Sequence, residues 1–195
     1  MRRIALDFET SGLQTGTHAP VSLGVALMDG DTVVNAQEWL FAPPYDKKGK
    51  ITRAYDVVAL EISRTSWKRI KEHGMVHASV CRELLAWSRE NEALELEVVA
   101  YNAPFDFAWY SDLLFLGGSW NQYTRSYQTF LPPLAGPWQC ARLKAVHALP
   151  GLESYTLDNV CAALGLSRTS DAHGALEDAI LAGKVLASIE RRKQS

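Results

Sequence analysis

Ala5-Leu6-Asp7-Phe8-Glu9-Thr10-Ser11-Gly12-Leu13 is the stretch on which the fold turns. Residues 3–9 alternate loosely between apolar and polar, the period of a strand, and the run ends in acids. Asp7 and Glu9 are two apart, so on a strand their side chains leave the same face. Both fall at the strand's C-terminal end, where α/β sheets usually place their ligands. Two carboxylates a few ångströms apart repel by about 4 kcal/mol at an effective dielectric near 20, and a divalent cation removes that cost. An acid pair on a solvent-facing edge strand has the same spacing, so the pair gains meaning only from partners elsewhere in the chain.

Working outward, Val21 to Met28 reads as a second strand, Asp29-Gly30-Asp31 as a turn, and Thr32 to Phe41 as a third strand, which makes a β-meander. Pro43, Pro44 and the lysines at 47, 48 and 50 mark a loop. Helical periodicity follows: a short helix capped by Ser63 or Thr65 and running to Ile70, then a longer one near 78–91. Leu96 to Tyr101 is an apolar run suited to a buried strand. Asn102 can cap the next helix, Pro104 fits its first turn, and Gly117-Gly118 stop it. Further helices are predicted near 139–148, 156–164 and 172–192. Three strands followed by helices alternating with more strand imply an α/β domain, a mixed central β-sheet flanked by α-helices, with residues 1–195 as a single domain.

The hydrophobic fraction of 47% is ordinary for a globular core, and the formal net charge of −2 argues against a strongly basic nucleic-acid coat. Cys81, Cys140 and Cys161 are odd in number and lack metal-ligand spacing, so they read as reduced thiols in a cytoplasmic protein. Neither a signal peptide nor a membrane span is legible.

Three more residues complete a candidate site. Asp106 falls in the first turn of a helix, where the macrodipole favours a carboxylate, and that alone would explain it. His173 and Asp178 are five apart; in one continuous helix they would stand about 140° apart around the axis. They converge only if His173 lies on the loop or in the first turn, with Ser170 or Asp171 as the cap. Gly174, four before Asp178, shares its face and would leave room for metal and phosphate. Carboxylate oxygens suit magnesium or manganese, and histidine, with an ordinary pKa near 6.5, can take a proton from water. Zinc signatures such as His-Glu-x-x-His or paired cysteines are absent from the sequence.

Taken together, the motifs resemble the DEDDh, or DnaQ-like, family of 3′–5′ exonucleases, which includes the proofreading epsilon subunit of bacterial DNA polymerase III. Residues 7–13 look like its first motif, Tyr101-Asn102-Ala103-Pro104-Phe105-Asp106 like its second, and His173 to Asp178 has the spacing of its third. Residues 154–166 are similar to the helix that precedes that third motif. The resemblance implies a ribonuclease H-like fold and a two-metal site. Asp7, Glu9, Asp106 and Asp178 would hold two magnesium or manganese ions, and His173 would be the base. Thr10 and Leu13 match positions that contact the terminal nucleotide, and Tyr101, Asn102 and Phe105 match further lining positions. Phe105 and Leu13 also fit core roles, and Asn102 a plain cap. Tyr101 stands where the family often has histidine, and it cannot carry positive charge near neutral pH.

The implied function is metal-dependent hydrolysis of single-stranded DNA from its 3′ end to nucleoside 5′-monophosphates. A 3′–5′ exoribonuclease is the alternative, and a catalytically silent nucleic-acid-binding module on the same fold is the remote one. Trp120, Tyr123, Arg125, Tyr127 and Phe130 form an aromatic stretch that could stack unpaired bases or cover the core. Lys47, Lys48, Lys50 and Arg53 make a short basic loop, suited to a phosphate backbone or to solvent. The implied partner is a nucleic-acid 3′ end and not a membrane. About 17 residues follow Asp178, which leaves little room for a polymerase-tethering tail, and a homodimer stays open.

Overall fold

A computed structural model describes residues 1–121, 126–128, 133–169 and 174–192. Strands β1 (Arg2–Thr10), β2 (Pro20–Asp29) and β3 (Thr32–Leu40) form the expected antiparallel meander. β4 (Val98–Ala100) lies parallel to β1, and β7 (Trp138–Cys140) parallel to β4, so the five-stranded sheet runs β3-β2-β1-β4-β7. A separate two-stranded hairpin joins β5 (Ser119–Asn121) to β6 (Ser126–Gln128). The helices are α1 (Val57–Ile62), α2 (Trp67–His73), α3 (His77–Glu90), α4 (Ala103–Gly117), α5 (Ala141–Ala148), α6 (Leu157–Leu164) and α7 (Ala175–Arg192).

The alternation of β1 decides which helices lie on which face. Ile4, Leu6 and Phe8 join Leu23, Val25 and Leu27 in a core shared with Val80 and Leu84 of α3 and Trp109 and Leu113 of α4. The intervening residues face α7, and there the sheet is built from small side chains: Ala5 and Ala26 meet Ala179. At Gly24 even a Cβ would sit 2.2 Å from the backbone nitrogen of Leu176. Gly183 likewise lies against Ala5 and Met28. Small residues on both partners let the N-terminal end of α7 rest directly on β2. Asp7 and Glu9 share the parity of Ala5 and so belong to this face.

Several elements differ from the sequence reading. Ser66, not Ser63 or Thr65, caps α2, its hydroxyl accepting from the Arg69 N–H at 3.1 Å; Ser63 instead closes the additional helix α1. Asn102 stands at the N-cap of α4 but makes no side-chain capping bond. β7 replaces the start of the helix expected from 139, because residues 138–140 pair with β4. The helix end at Gly117-Gly118 falls as expected. Trp120 and Tyr127 pair across the hairpin, whereas Tyr123, Arg125 and Phe130 lie outside the described residues, as do Ser170, Asp171 and His173. No helix among the described residues is long and apolar enough to cross a membrane.

Candidate metal centre

Three elements converge at the C-terminal end of β1. Asp7 and Glu9 come from the strand, and Asp178 from the first turn of α7, whose helical hydrogen bonding starts with the Asp178 N–H donating to the Gly174 carbonyl at 3.0 Å. One carboxylate oxygen from each of Asp7, Glu9 and Asp178 lies within 4.8 Å of the others. Asp106 enters from α4. β4 ends at Ala100 and pairs with β1 only at Ile4 and Ala5, which leaves the farther edge of β1 without a strand partner. The buried Asp106 carboxylate takes the Phe8 N–H there at 3.1 Å.

These acids stress one another. The surrounding protein raises the Asp7 carboxyl well above the usual range, and the charges of Asp106, Asp178 and Glu9 push it further in the same direction. Burial raises Asp106 as well, against the opposing pull of the Phe8 N–H. The donor set fits a hard divalent cation: it is all carboxylate oxygen, crowded and partly shielded from water.

Arg168, which the sequence reading missed, sits against this cluster. Its guanidinium donates to Asp178 and, at 2.7 Å, to Asp158 in the first turn of α6. The Glu177 carboxylate accepts from the Thr169 hydroxyl at 2.7 Å, so the segment before α7 is tied to its first turn twice over. A lone arginine on an irregular segment has no periodic signal; its ten-residue distance from Asp178 carries no motif.

The remaining expected contacts divide. Thr10 and Leu13 line a cavity of about 540 Å³ that also reaches Glu9, Val58 and Ile62. Leu13 is 83% exposed, which excludes the core role its apolar side chain allowed. Asn102 is exposed, and Phe105 is half-buried beside Trp109. Tyr101 is buried in the α5–α6–α7 core, and its hydroxyl donates to the Tyr155 carbonyl at 2.8 Å. Gly174 borders open space.

No family model matches the sequence, and no curated protein matches it. Solved structures do. The zinc-bound form of E. coli exonuclease I in complex with single-stranded DNA superposes with a TM-score of 0.72 at 16% identity, over 99% of this chain and 41% of that one. Exonuclease X, in complex with 5′-overhanging duplex DNA, matches with a TM-score of 0.65 at 20% identity, over 98% and 93%. The nuclease domain of 3′hExo, a DEDDh family member bound to rAMP, matches with a TM-score of 0.71 at 13% identity, over 98% and 92%. This chain therefore spans less than half the length of exonuclease I but nearly all of the other two. The likeness establishes a ribonuclease H-like fold, a mixed five-stranded sheet flanked by helices. On that fold, the end of β1 carries an acidic cluster.

Proposed function

We propose that this chain is a metal-dependent 3′–5′ exonuclease that releases nucleoside 5′-monophosphates from single-stranded DNA, with residues 1–195 as one catalytic domain. The observation that carries the reading is the meeting of Asp7, Glu9 and Asp178 within 4.8 Å, with the Asp106 carboxylate fixed beside them. Asp7, Glu9, Asp106 and Asp178 would hold two magnesium or manganese ions. Bound there, such ions supply Lewis acidity and lower the pKa of water toward neutrality.

The chain's own residues do the rest. Thr10 and Leu13 position the terminal nucleotide in the cavity beside Glu9, and Asn102 and Phe105, outside that cavity at the start of α4, are the further contacts we propose. The imidazole of His173, the residue before Gly174, takes a proton from the attacking water. The water oxygen bonds to the terminal phosphorus as the bond to the upstream 3′ oxygen breaks, and that oxygen leaves with a proton. DNA is the proposed substrate because exonucleases I and X are solved with DNA; the rAMP on 3′hExo makes RNA the comparison to run.

The test is digestion of matched DNA and RNA 12-mers in magnesium, with free or phosphorylated 3′ ends. Mononucleotides with a 5′-phosphate should appear first from the free 3′ end of DNA. Internal cuts, or release from the 5′ end, would overturn the reading.

A further inference from the structure

A second cavity, of about 720 Å³, meets the acidic cluster at Glu9 from the other side. It lies over the part of the sheet face that α7 leaves uncovered. Gly24, which rests against α7, pairs with Glu38, and Ser22 pairs with Leu40, so Glu38 and Leu40 belong to the same face and form the groove floor. One wall is Gly174 and the start of α7 as far as Lys184, about 15 Å at the helical rise and room for a few consecutive nucleotides. The opposite wall is the turn between α1 and α2, with Arg64, and the first turn of α2, with Arg69.

Arg64, Arg69 and Lys184 form no ion pair within 4.0 Å among the described residues. Of the acids lining the groove, Glu9 belongs to the cluster, Glu177 accepts from Thr169, and Glu38 lies on the floor. Arg64 is unusual in its backbone. Its φ is +48°, a left-handed conformation in which a residue with a Cβ is strained and glycine or asparagine is the common choice. The neighbours hold it there. Ser63 and Thr65 are buried, the Arg64 N–H donates to the Glu61 carbonyl at 3.1 Å, and the Thr65 N–H donates to the Leu60 carbonyl at 3.0 Å. Glu92 shares this conformation in the turn after α3, and what sets Arg64 apart is that its exposed side chain lines a groove reaching the acidic cluster.

We propose that this groove holds the phosphodiester strand upstream of the terminal nucleotide, with Arg64 gripping a phosphate. This rests on the exonuclease reading and adds to it where the rest of the substrate lies. Two cavities meeting at Glu9 divide the work: Leu13, Val58 and Ile62 give one an apolar lining that suits a base, while Arg64 and Arg69 on one wall of the other, with Lys184 on the facing helix, suit a backbone.

Arg64→Gly removes the charge and the strain together, which separates binding from folding. Kinetics on dT2 and dT8 in magnesium, thermal melts, and binding of a dT8 with a phosphorothioate 3′-terminal linkage give the readouts. The expected result is a KM for dT8 raised roughly fivefold to tenfold with kcat little changed, a clearly smaller rise for dT2, and a Tm equal to or above wild type. The slope of log affinity against log salt should fall by about 0.7, one phosphate contact on a single strand. Lys184→Gln should act in the same direction, and Lys144→Gln on α5, outside the groove, should move neither KM nor slope. If wild type digests both substrates and Arg64→Gly affects them equally or not at all, the groove assignment is overturned and the exonuclease reading stands. If wild type digests neither, in magnesium or manganese, both fall together.

Discussion

Arg168 donates to Asp178, a carboxylate that lies within 4.8 Å of both Asp7 and Glu9. The Arg168 side chain is only 15% exposed and its guanidinium also holds Asp158, so it is a fixed positive charge at the rim of an acidic cluster. A divalent cation binding to Asp178 must compete with that charge. Arg168→Gln should therefore tighten magnesium or manganese binding by roughly tenfold, the scale of one nearby charge at intermediate dielectric. It should also lower the metal-free Tm by a few degrees, because Asp178 and Asp158 lose their shared partner. Calorimetric titration with each metal, beside a melt in EDTA, checks both signs.

The seating of α7 sets the position of Asp178, and Gly24 sets the seating. A Cβ at residue 24 would meet the Leu176 nitrogen at 2.2 Å and the Ala175 carbonyl oxygen at 2.4 Å, both backbone atoms that cannot swing aside. Gly24→Ala should cost about 1–3 kcal/mol, a drop in Tm of roughly 3–10 °C for a chain of this size. Metal affinity should fall with it, since the helix start that moves carries Asp178. A Gly24→Ala protein with wild-type metal affinity would show that Asp178 does not depend on this contact.

His77 gives the fold an acid limit unrelated to the acidic cluster. It is buried at the start of α3 with its ring stacked 5.1 Å from that of Phe41, and among the described residues its Nε2 has no hydrogen-bond partner. Burial, helped by the charge of Arg53, lowers its pKa to about 4. The unfolded chain protonates near 6.5, so the neutral ring's contribution is complete above that pH and is lost as the pH falls toward 4. At pH 5 the loss is about 2 kcal/mol. Denaturant unfolding of wild type and His77→Phe at pH 7 and pH 5 isolates it: wild type should lose about that much more than the variant over the interval.

Leu13 is the outlying contact that is easiest to isolate. At 83% exposure it contributes little to folding, so Leu13→Ala should leave Tm within about a degree of wild type. If it packs against the terminal base, KM for a single-stranded oligonucleotide should rise roughly threefold to tenfold, the effect of about 1 kcal/mol of lost apolar contact. Equal KM values would remove Leu13 from the substrate site.

The parts of this fold that were legible in the sequence are those marked locally by apolar runs and by turn residues. β1 to β3 and the turn at Asp29-Gly30-Asp31 read clearly because β1 and β2 are apolar runs buried on both faces, and Gly30 has the positive φ, +61°, that such a turn needs. The spacing of Asp7, Glu9 and Asp178 also survived translation into space. α1 did not read as a helix because it buries none of its residues: Val57, Val58 and Ile62 are exposed, the last two lining the Leu13 cavity. β7 is three residues long and is defined by its pairing with β4, a partner about 40 residues away that local pattern cannot reveal. Tyr101 matched a substrate position by motif, yet its hydroxyl is committed to Tyr155, a contact only tertiary structure discloses.

The most direct test of the metal centre is Asp7→Asn against wild type on a 5′-labelled single-stranded DNA in magnesium. Burial, and then the charges of Asp106, Asp178 and Glu9, disfavour the ionised Asp7 carboxylate, so Asp7→Asn should raise the metal-free Tm while removing the Tm gain on adding metal. In the same samples, wild type should release nucleoside 5′-monophosphate progressively from the 3′ end, and Asp7→Asn should fall by at least about a thousandfold, roughly 4 kcal/mol of transition-state stabilisation. Comparable release by the two proteins, with comparable response to metal, would contradict a cation site built on Asp7, Glu9 and Asp178.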